Sequence, residues 1–245
     1  MSLEVTDLRV YYRTLAGRVV LDGVELPITD TDEMDHFRFG DISIIPQYAM
    51  SALNPTRKIG KMVAELVESR RRSFRELREE LDRRVALVGL TPDVLDRYPI
   101  ELSGGMKQRM VMVISTLLNP SLLIADEIIS MLDASTRIDV LNLLGDLKEQ
   151  GVGILFITHD LSLGNYISDT TLIMRRGCIV EMGATEKVFG KPAHPYTQML
   201  LTSVPHLTER WQPSAHTPTA EDEFPDGGPL IRLEDDHFAA IGGDA

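Results

Sequence analysis

The sequence is poor in cysteine and in aromatic residues. Its single cysteine, Cys178, excludes an internal disulfide framework and fits a reducing compartment. Because that thiol stands between a glycine and an isoleucine, we expect it to pack within a strand rather than to act as a nucleophile. No apolar run is long enough to span a bilayer, and the N-terminal residues lack the basic and apolar regions of a signal peptide. These absences favour a cytosolic globular protein.

Basic residues are also scarce: 25 lysines and arginines stand against 37 acidic residues, for a net charge of −12. That balance argues against a general nucleic-acid-binding protein, which would need a basic face. The charge is uneven, because residues 207–245 hold nine acidic residues and only two basic ones. This stretch is also rich in proline, glycine and threonine. We therefore predict a domain over residues 1–206 and a poorly ordered acidic tail over residues 207–245.

Hydrophobic patterning predicts an α/β fold. Continuous apolar runs at residues 122–125 and 153–157 are typical of strands buried on both faces of a parallel sheet. Residues 3–10 alternate like a half-buried strand, and Ala16-Gly17 offers a turn into a second strand. A short strand over residues 41–45 and a hairpin over 170–182 complete the strand predictions. Helices are predicted over residues 58–69, 73–89, 104–118 and 136–149.

Polar residues follow three of these predicted strands: Gln47, the pair Asp126-Glu127, and His159. Ligands of α/β folds bind at this edge of the sheet. Phosphoryl transfer to water needs a Mg²⁺ holder, a role that Asp126 could fill, and a carboxylate that orients the water, as Glu127 could. His159 could bond a γ-phosphate or the water, and Gln47 could contact the metal or the water. Taken singly, each residue is better explained as a polar group at a strand end or on the surface.

The run Ser103-Gly104-Gly105 precedes a predicted helix, with Ser103 as its N-cap. Glycines expose backbone N–H groups there, and a helix N-terminus attracts anions. Asp133, before the next predicted helix, could bridge to a partner subunit or simply cap its own helix.

The order of these elements resembles that of the ATP-binding cassette (ABC) ATPases, in which Q-loop, signature, Walker B, D-loop and H-loop follow one another. The resemblance covers residues 3–206. Within this family, the oligopeptide/dipeptide importer branch has segments similar to residues 44–57, 103–109, 122–127 and 191–197 of this sequence. The resemblance implies a P-loop-NTPase-like nucleotide-binding domain with an antiparallel β subdomain and an α-helical subdomain at about 48–118.

The resemblance also implies site residues and ligands. The cofactors would be ATP and Mg²⁺. Catalysis would involve Glu127, His159 and Gln47, and the metal would be held by Asp126 and Gln47. The nucleotide-binding residues would be Ser103, Gly104, Gly105, Asp133 and Tyr11. The partners would be a second ABC ATPase subunit and transmembrane permease subunits, docked through residues 47–57 at the cytoplasmic face of the membrane.

One family motif is missing from the sequence. A P-loop reads Gly-x-x-x-x-Gly-Lys-Ser/Thr, and neither Gly60-Lys61 nor Gly190-Lys191 has the required neighbours. The interval from Gly23 to Gln47 is about half as long as a strand, phosphate loop, helix and further strand need. Its acidic residues include Asp30, Asp32, Glu33 and Asp35, four carboxylates that would repel a triphosphate.

We therefore predict a core sheet depleted of its P-loop strand. Either another segment, such as 19–28, fills the gap, or the domain is only marginally stable. Two lesser departures are Ile128, where the family usually has proline, and the absence of the family's C-terminal cysteine cluster.

Three functions fit this sequence. The first is a subunit of a peptide-type ABC importer that works only in a heterodimer: its own ATP site is defective, and its signature acts in trans on ATP held by the partner. The second is an inactive truncated ABC ATPase product. The third is a non-catalytic interaction or regulatory protein.

Overall fold

The computed structural model describes residues 3–11, 14–21, 23–47, 52–129, 132–203 and 228–241. The chain divides into two compact units, residues 1–157 and residues 158–245. No helix within the described ranges is long and apolar enough to cross a membrane. The predicted domain boundary after residue 206 lies outside the described residues and stays a prediction.

The first unit begins with an antiparallel sheet in the order β1-β2-β3, whose strands are Leu3–Tyr11, Thr14–Leu21 and Val24–Glu25. Strands β1 and β2 form the predicted hairpin, but Ala16 pairs with Arg9 inside β2, so the prediction of a turn at Ala16-Gly17 is wrong. Gly17 instead lies within β2, at a register shift where two residues of β1 oppose it. A glycine in a strand often marks such a bulge.

A separate parallel sheet has the order β4-β5-β6. Its strands are Ile42–Ile45, Leu122–Asp126 and Gly153–Ile157, close to the three predicted runs. One face of this sheet is covered on β4 and β5, where Ile45, Leu123 and Ala125 are completely buried, whereas Ile154 and Phe156 of β6 on the same face are half-buried. Segment 19–28 does not join this sheet. Its Leu21 and Leu26 pack against Ile42 and Leu122 from the other face.

The opposite face of the parallel sheet is partly open. Ile44, Ile124 and Leu155 lie in register across the three strands, and Ile44 and Leu155 remain 54% and 36% exposed. Ile157, at the end of β6, is 45% exposed. The expectation that β6 is buried on both faces is therefore wrong. Among the described residues no strand pairs with its outer edge, so β6 has fewer neighbours than β5.

Helices fill the described chain between β4 and β5. They are α2 (Ile59–Ser69), α3 (Phe74–Leu87) and α4 (Gly104–Thr116), with 3-10 turns at Pro92–Asp96 and Pro99–Glu101; a short helix α1 (Thr31–Met34) precedes β4. Helix α2 buries Ile59, Val63 and Val67, one residue per turn on a single face. Helix α5 (Ala134–Glu149) connects β5 to β6 and completes the βαβ unit.

The second unit holds an antiparallel sheet in the order β7-β8-β10-β9. Its first hairpin joins β7 (Thr170–Arg175) to β8 (Cys178–Ala184), and Arg176 and Gly177 both have positive φ, as a type I′ turn requires. Cys178 opens β8 and is exposed, so the expectation that it packs within the sheet is wrong. Helices α6 (Leu161–Ile167), α7 (Thr185–Gly190) and α8 (Pro195–Thr202) accompany the sheet.

The structure departs from the expectation of a poorly ordered tail over residues 228–241. Strands β9 (Ile231–Glu234) and β10 (His237–Ala239) form a hairpin, and β10 pairs with β8. The buried carboxylate of Glu181 explains this docking: it bonds His237 Nε2 at 2.8 Å. The same carboxylate accepts the backbone N–H groups of Ala193 and His194, both at 2.9 Å.

These contacts also set the ionisation of Glu181. Burial raises the pKa of this carboxyl, but hydrogen bonds from Ala193 N, His194 N and His237 outweigh burial, so the pKa lies below its usual value. Glu181 is therefore a carboxylate at neutral pH, and it holds β10 and the start of α8 to one strand.

Candidate functional site

Asp126 and Glu127 lie where the predicted site placed them, at the carboxyl end of β5. Asp126 is the last residue of the strand and half-buried. The chain turns sharply after it, because Glu127 adopts a positive φ of 48°. The Glu127 N–H donates to the carbonyl of Ile157 at 2.9 Å, which extends the pairing of β5 with β6 by one bond. The turn therefore presents the Glu127 side chain at the edge of the sheet.

Gln47 and Glu127 are joined directly. The Nε2 of Gln47 donates to Oε2 of Glu127 at 2.6 Å, across 80 residues of sequence. Gln47 lies two residues beyond β4, and β4 is the parallel neighbour of β5, so the two strand ends meet at one edge. An amide donor on a carboxylate oxygen holds that carboxylate in one orientation. The predicted catalytic roles of the two residues stay predictions.

Asp126 and Gln47 are the only described residues that support the predicted metal site. Among the described residues no group of three or more His, Cys, Asp or Glu side chains is arranged to hold a metal ion. A Mg²⁺ ion at Asp126 would therefore depend on phosphate oxygens and water for most of its ligands.

The Ser103-Gly104-Gly105 turn opens α4 as predicted. Ser103 is the N-cap, and its Oγ accepts the N–H of Met106 at 3.3 Å. Ser103 and Gly104 are exposed, and Gly105 is half-buried. First-turn N–H groups of a helix have no intrahelical acceptor, so this turn offers donors to an incoming anion.

Two side chains of α4 that the sequence analysis did not single out tie the helix to its surroundings. Gln108 is buried, and its Nε2 donates to the carbonyl of Ile128. Arg109 Nη1 donates to the carbonyl of Val88 at 3.0 Å and to that of Gly89 at 3.3 Å. The signal in the sequence was the polar pair Gln108-Arg109 within a helix that is otherwise mostly buried.

Asp133 has a clear structural role. It is the N-cap of α5, and its carboxylate accepts the Thr136 N–H at 3.0 Å and the Thr136 hydroxyl at 2.9 Å. A role toward a partner's nucleotide stays a prediction.

The other predicted residues are placed less fully. His159 is exposed and lies between the end of β6 and Asp160, which caps α6. It belongs to the second unit of the chain. Tyr11 is the last residue of β1. Residues 48–51 of the predicted docking surface lie outside the described residues.

The acidic segment before β4 folds onto itself. Asp30 caps α1, and its Oδ1 accepts the N–H groups of Asp32 and Glu33, both at 3.0 Å. Arg70 Nη1 donates to the Asp35 carbonyl at 2.6 Å and so holds the segment to α2. An open cleft of about 660 Å³ beside α1 has no lysine or arginine in its lining, which consists of Glu25, Leu26, Pro27, Ile28, Thr29, Glu33, His36 and Phe37.

Comparison with known protein families identifies the family of the chain. Residues 8–130, half of the chain, match the family model of the ABC transporter. The chain belongs to the ABC transporter family. Residues 180–230 of this ABC transporter domain also match the model for the oligopeptide/dipeptide transporter, C-terminal region, which places the domain in that branch. The resemblance found in the sequence is confirmed at this level.

Curated relatives agree with the branch. The chain is 37% identical over 196 residues to a dipeptide transport ATP-binding protein, DppD, of Caldanaerobacter subterraneus; the match covers 78% of this chain and 60% of the relative. It is 40% identical over 192 residues to the oligopeptide transport ATP-binding protein OppF of Escherichia coli, over 77% of this chain and 57% of the relative. The chain therefore spans less than two thirds of these relatives.

Solved structures show the same fold. Two structures of one dimeric ATP-binding cassette, one of them bound to ADP and phosphate, each match with a TM-score of 0.61 and 21% identity. Each match covers 69% of this chain and 74% of the other chain. The domain has the α/β fold of an ABC cassette.

Proposed function

We propose that this chain is the ATP-binding subunit of a peptide-type ABC importer. It would lie at the cytoplasmic face of the membrane, contact the permease subunits through residues 47–57, and pair with a second ABC ATPase subunit. The match of residues 180–230 to the oligopeptide/dipeptide branch supports the transport class. The Gln47–Glu127 hydrogen bond supports an intact arrangement of polar side chains at the carboxyl ends of β4 and β5, of the kind that ATP hydrolysis needs.

The proposal includes a defective ATP site in the chain itself. No Gly-x-x-x-x-Gly-Lys-Ser/Thr occurs in the 245 residues. In the segment between β3 and β4, the amides at the start of α1 are already bonded to Asp30, so they are not available to a phosphate. The exposed Leu155 and Ile157 on β6 also support the loss of a neighbouring element. ATP and Mg²⁺ therefore do not fit this segment.

The signature would then act in trans. The exposed turn Ser103–Gly105 offers backbone N–H groups and a helix N-terminus, the chemistry that recognises a γ-phosphate. In the proposed heterodimer the phosphate belongs to ATP held with Mg²⁺ by the P-loop of the second subunit. The accessible signature turn, in a sequence without a Gly-x-x-x-x-Gly-Lys-Ser/Thr motif, is the observation that carries this proposal.

A substitution in the signature tests this function. The transporter complex is purified through a tag on this chain, and its ATP hydrolysis is measured with Ser103→Arg. The arginine side chain would fill the space of the phosphate, so we expect the rate to fall by about a hundredfold, the usual cost of losing a charge-stabilising donor site.

The matched control is Ser73→Arg, at the exposed N-cap of α3, which makes no side-chain capping bond. This variant should hydrolyse ATP at the parent rate. Unchanged hydrolysis in Ser103→Arg would reject the trans role, leaving an inactive truncated product or a non-catalytic interaction protein.

A further inference from the structure

The signature helix α4 carries a buried polar side chain, Gln108. It is 3% exposed, and it lies one helical turn after Gly104. Its neighbours along the same helix, Met110, Met112 and Val113, are completely buried and apolar. Burying an amide among such residues costs free energy unless its hydrogen bonds are made. The Nε2 of Gln108 makes such a bond with the carbonyl of Ile128.

The acceptor of this bond lies next to the candidate catalytic carboxylate. Ile128 follows Glu127, and the Glu127 backbone is itself fixed by its bond to Ile157 O at 2.9 Å. The Glu127 side chain is held by Gln47 at 2.6 Å. Gln108 therefore connects α4 to a turn that is already held at its backbone and at its side chain.

The other end of the connection is the signature turn. Ser103 and Gly104 are exposed, so packing does little to fix them. Within α4, Arg109 Nε donates to the Gly105 carbonyl at 3.3 Å. Besides the packing of buried Leu102, Gln108 and Arg109 therefore give the start of α4 its polar attachment to the rest of the unit. A methionine would fill the volume of Gln108 without the cost of burying an amide, so packing alone does not account for the glutamine.

We propose that Gln108 is a positioning residue, which sets the Ser103–Gly105 turn relative to the Glu127 turn through its bond to Ile128. The inference rests on the proposed function, because the turn matters for catalysis only if it closes on a nucleotide. It adds a coupling within one chain: the turn that serves the partner's ATP is linked to the strand end that carries this chain's own Glu127.

Amide hydrogen exchange in the purified chain tests the coupling without a partner. The reporters are the N–H groups of Met106 and Lys107, which bond to Ser103 Oγ and to Ser103 O. Gln108→Met keeps the volume and removes the donor, so these amides should exchange about tenfold faster at every pH.

Gln108→Glu makes the effect depend on pH. A carboxylate cannot donate to the Ile128 carbonyl, but a protonated carboxyl can, and burial raises the pKa of the introduced group. We expect exchange about tenfold faster than in the parent at about pH 8 and a return to the parent rate toward about pH 6, after correction for intrinsic exchange. A change in packing alone would not reverse with pH, because the two side chains have nearly the same volume.

The matched control is Gln198→Glu, since Gln198 also donates to a carbonyl, that of Pro192 at 2.9 Å, in the second unit. It should leave Met106 and Lys107 exchange at the parent rate at every pH. Parent-like exchange in both Gln108 variants, or an equal pH effect in the control, would overturn the proposal. If Gln108→Met does not fold, the pH-dependent recovery of Gln108→Glu still decides the question.

Hydrolysis by the purified transporter complex separates this inference from the proposed function. Gln108→Glu should lower kcat about tenfold at about pH 8 and leave KM for ATP within about twofold. Failure of Ser103→Arg to change hydrolysis would reject the trans function. Parent-like kcat in Gln108→Glu, in a complex where Ser103→Arg is inactive, would reject the role of Gln108 alone.

Discussion

Arg84 is the clearest case of a single side chain that holds two helices together. It is 1% exposed on α3, and Nε bonds Glu80 Oε1 at 2.6 Å. Its other nitrogens donate to the carbonyl of Thr116, at the end of α4, and to Asn119. Five donors in a rigid fork are suited to such convergent acceptors. The C-terminal end of the signature helix is therefore anchored by one guanidinium.

We predict that Arg84→Leu lowers the free energy of unfolding by about 3 kcal/mol, because it removes the buried guanidinium that bonds Glu80, the Thr116 carbonyl and Asn119 at the same time. Arg78→Leu is the control: Arg78 pairs with Asp82 at 2.9 Å in an exposed i,i+4 pair, which contributes less than about 1 kcal/mol. Urea unfolding of both variants measures the difference. Equal losses would mean that Arg84 contributes no more than a surface charge.

Glu80 gives the same region a dependence on pH. Its hydrogen bond to Arg83 lowers the pKa, burial opposes this, and Arg84 adds to the lowering, so the pKa falls from 4.5 to about 2. A depressed carboxyl pKa contributes stability above its unfolded value, and that contribution is lost as pH falls from 4.5 toward about 2. Glu80→Gln should therefore show a shallower fall in unfolding free energy over this range, measured by urea titrations at several pH values. If the unfolding free energy of Glu80→Gln fell with pH as steeply as that of the parent, the ion pairs of Glu80 with Arg83 and Arg84 would not contribute to stability.

The strands of the parallel sheet differ in how much support they receive. Leu123 on β5 is completely buried, whereas Leu155 on β6 is 36% exposed. We predict that Leu123→Ala costs about 3 kcal/mol of unfolding free energy and that Leu155→Ala costs less than about 1 kcal/mol. Urea denaturation compares the two. Equal costs would show that the outer face is covered in solution.

Elements with strong local patterns were predictable from the sequence. The runs at 122–125 and 153–157 become β5 and β6, and Ser103 caps α4 as expected. The meeting of Gln47 and Glu127 was also predictable, since parallel strand ends share one edge.

What the sequence could not supply depends on long-range neighbours. The run of β6 is as apolar as that of β5, so its exposure is visible only from the sheet order. Residues 228–241 carry apolar residues on both sides of the acidic run Glu234-Asp235-Asp236. The pairing of β10 with β8 and the bond from His237 to Glu181 explain how these strands dock. The tie from Gln108 to Ile128 spans 20 residues and leaves no periodic signal.

The whole chain combines an ABC cassette fold with an acidic segment before β4. The acidic residues there belong to a chain of net charge −12, and Asp30 occupies the helix amides that an anion would need. The fold and the family are established. The proposed function states in addition that this chain does not bind a nucleotide in its own site. A subunit of this kind would contribute surfaces to a transporter without contributing a complete ATP site.

Titration of the purified chain with ATP in the presence of Mg²⁺ tests that claim most directly. We predict no saturable heat of binding up to about 1 mM ATP, the upper end of ordinary enzyme affinities, because the sequence has no Gly-x-x-x-x-Gly-Lys-Ser/Thr motif to hold the β- and γ-phosphates. Saturable binding that Asp126→Asn abolishes would contradict the claim, since it would show a working nucleotide site within this chain.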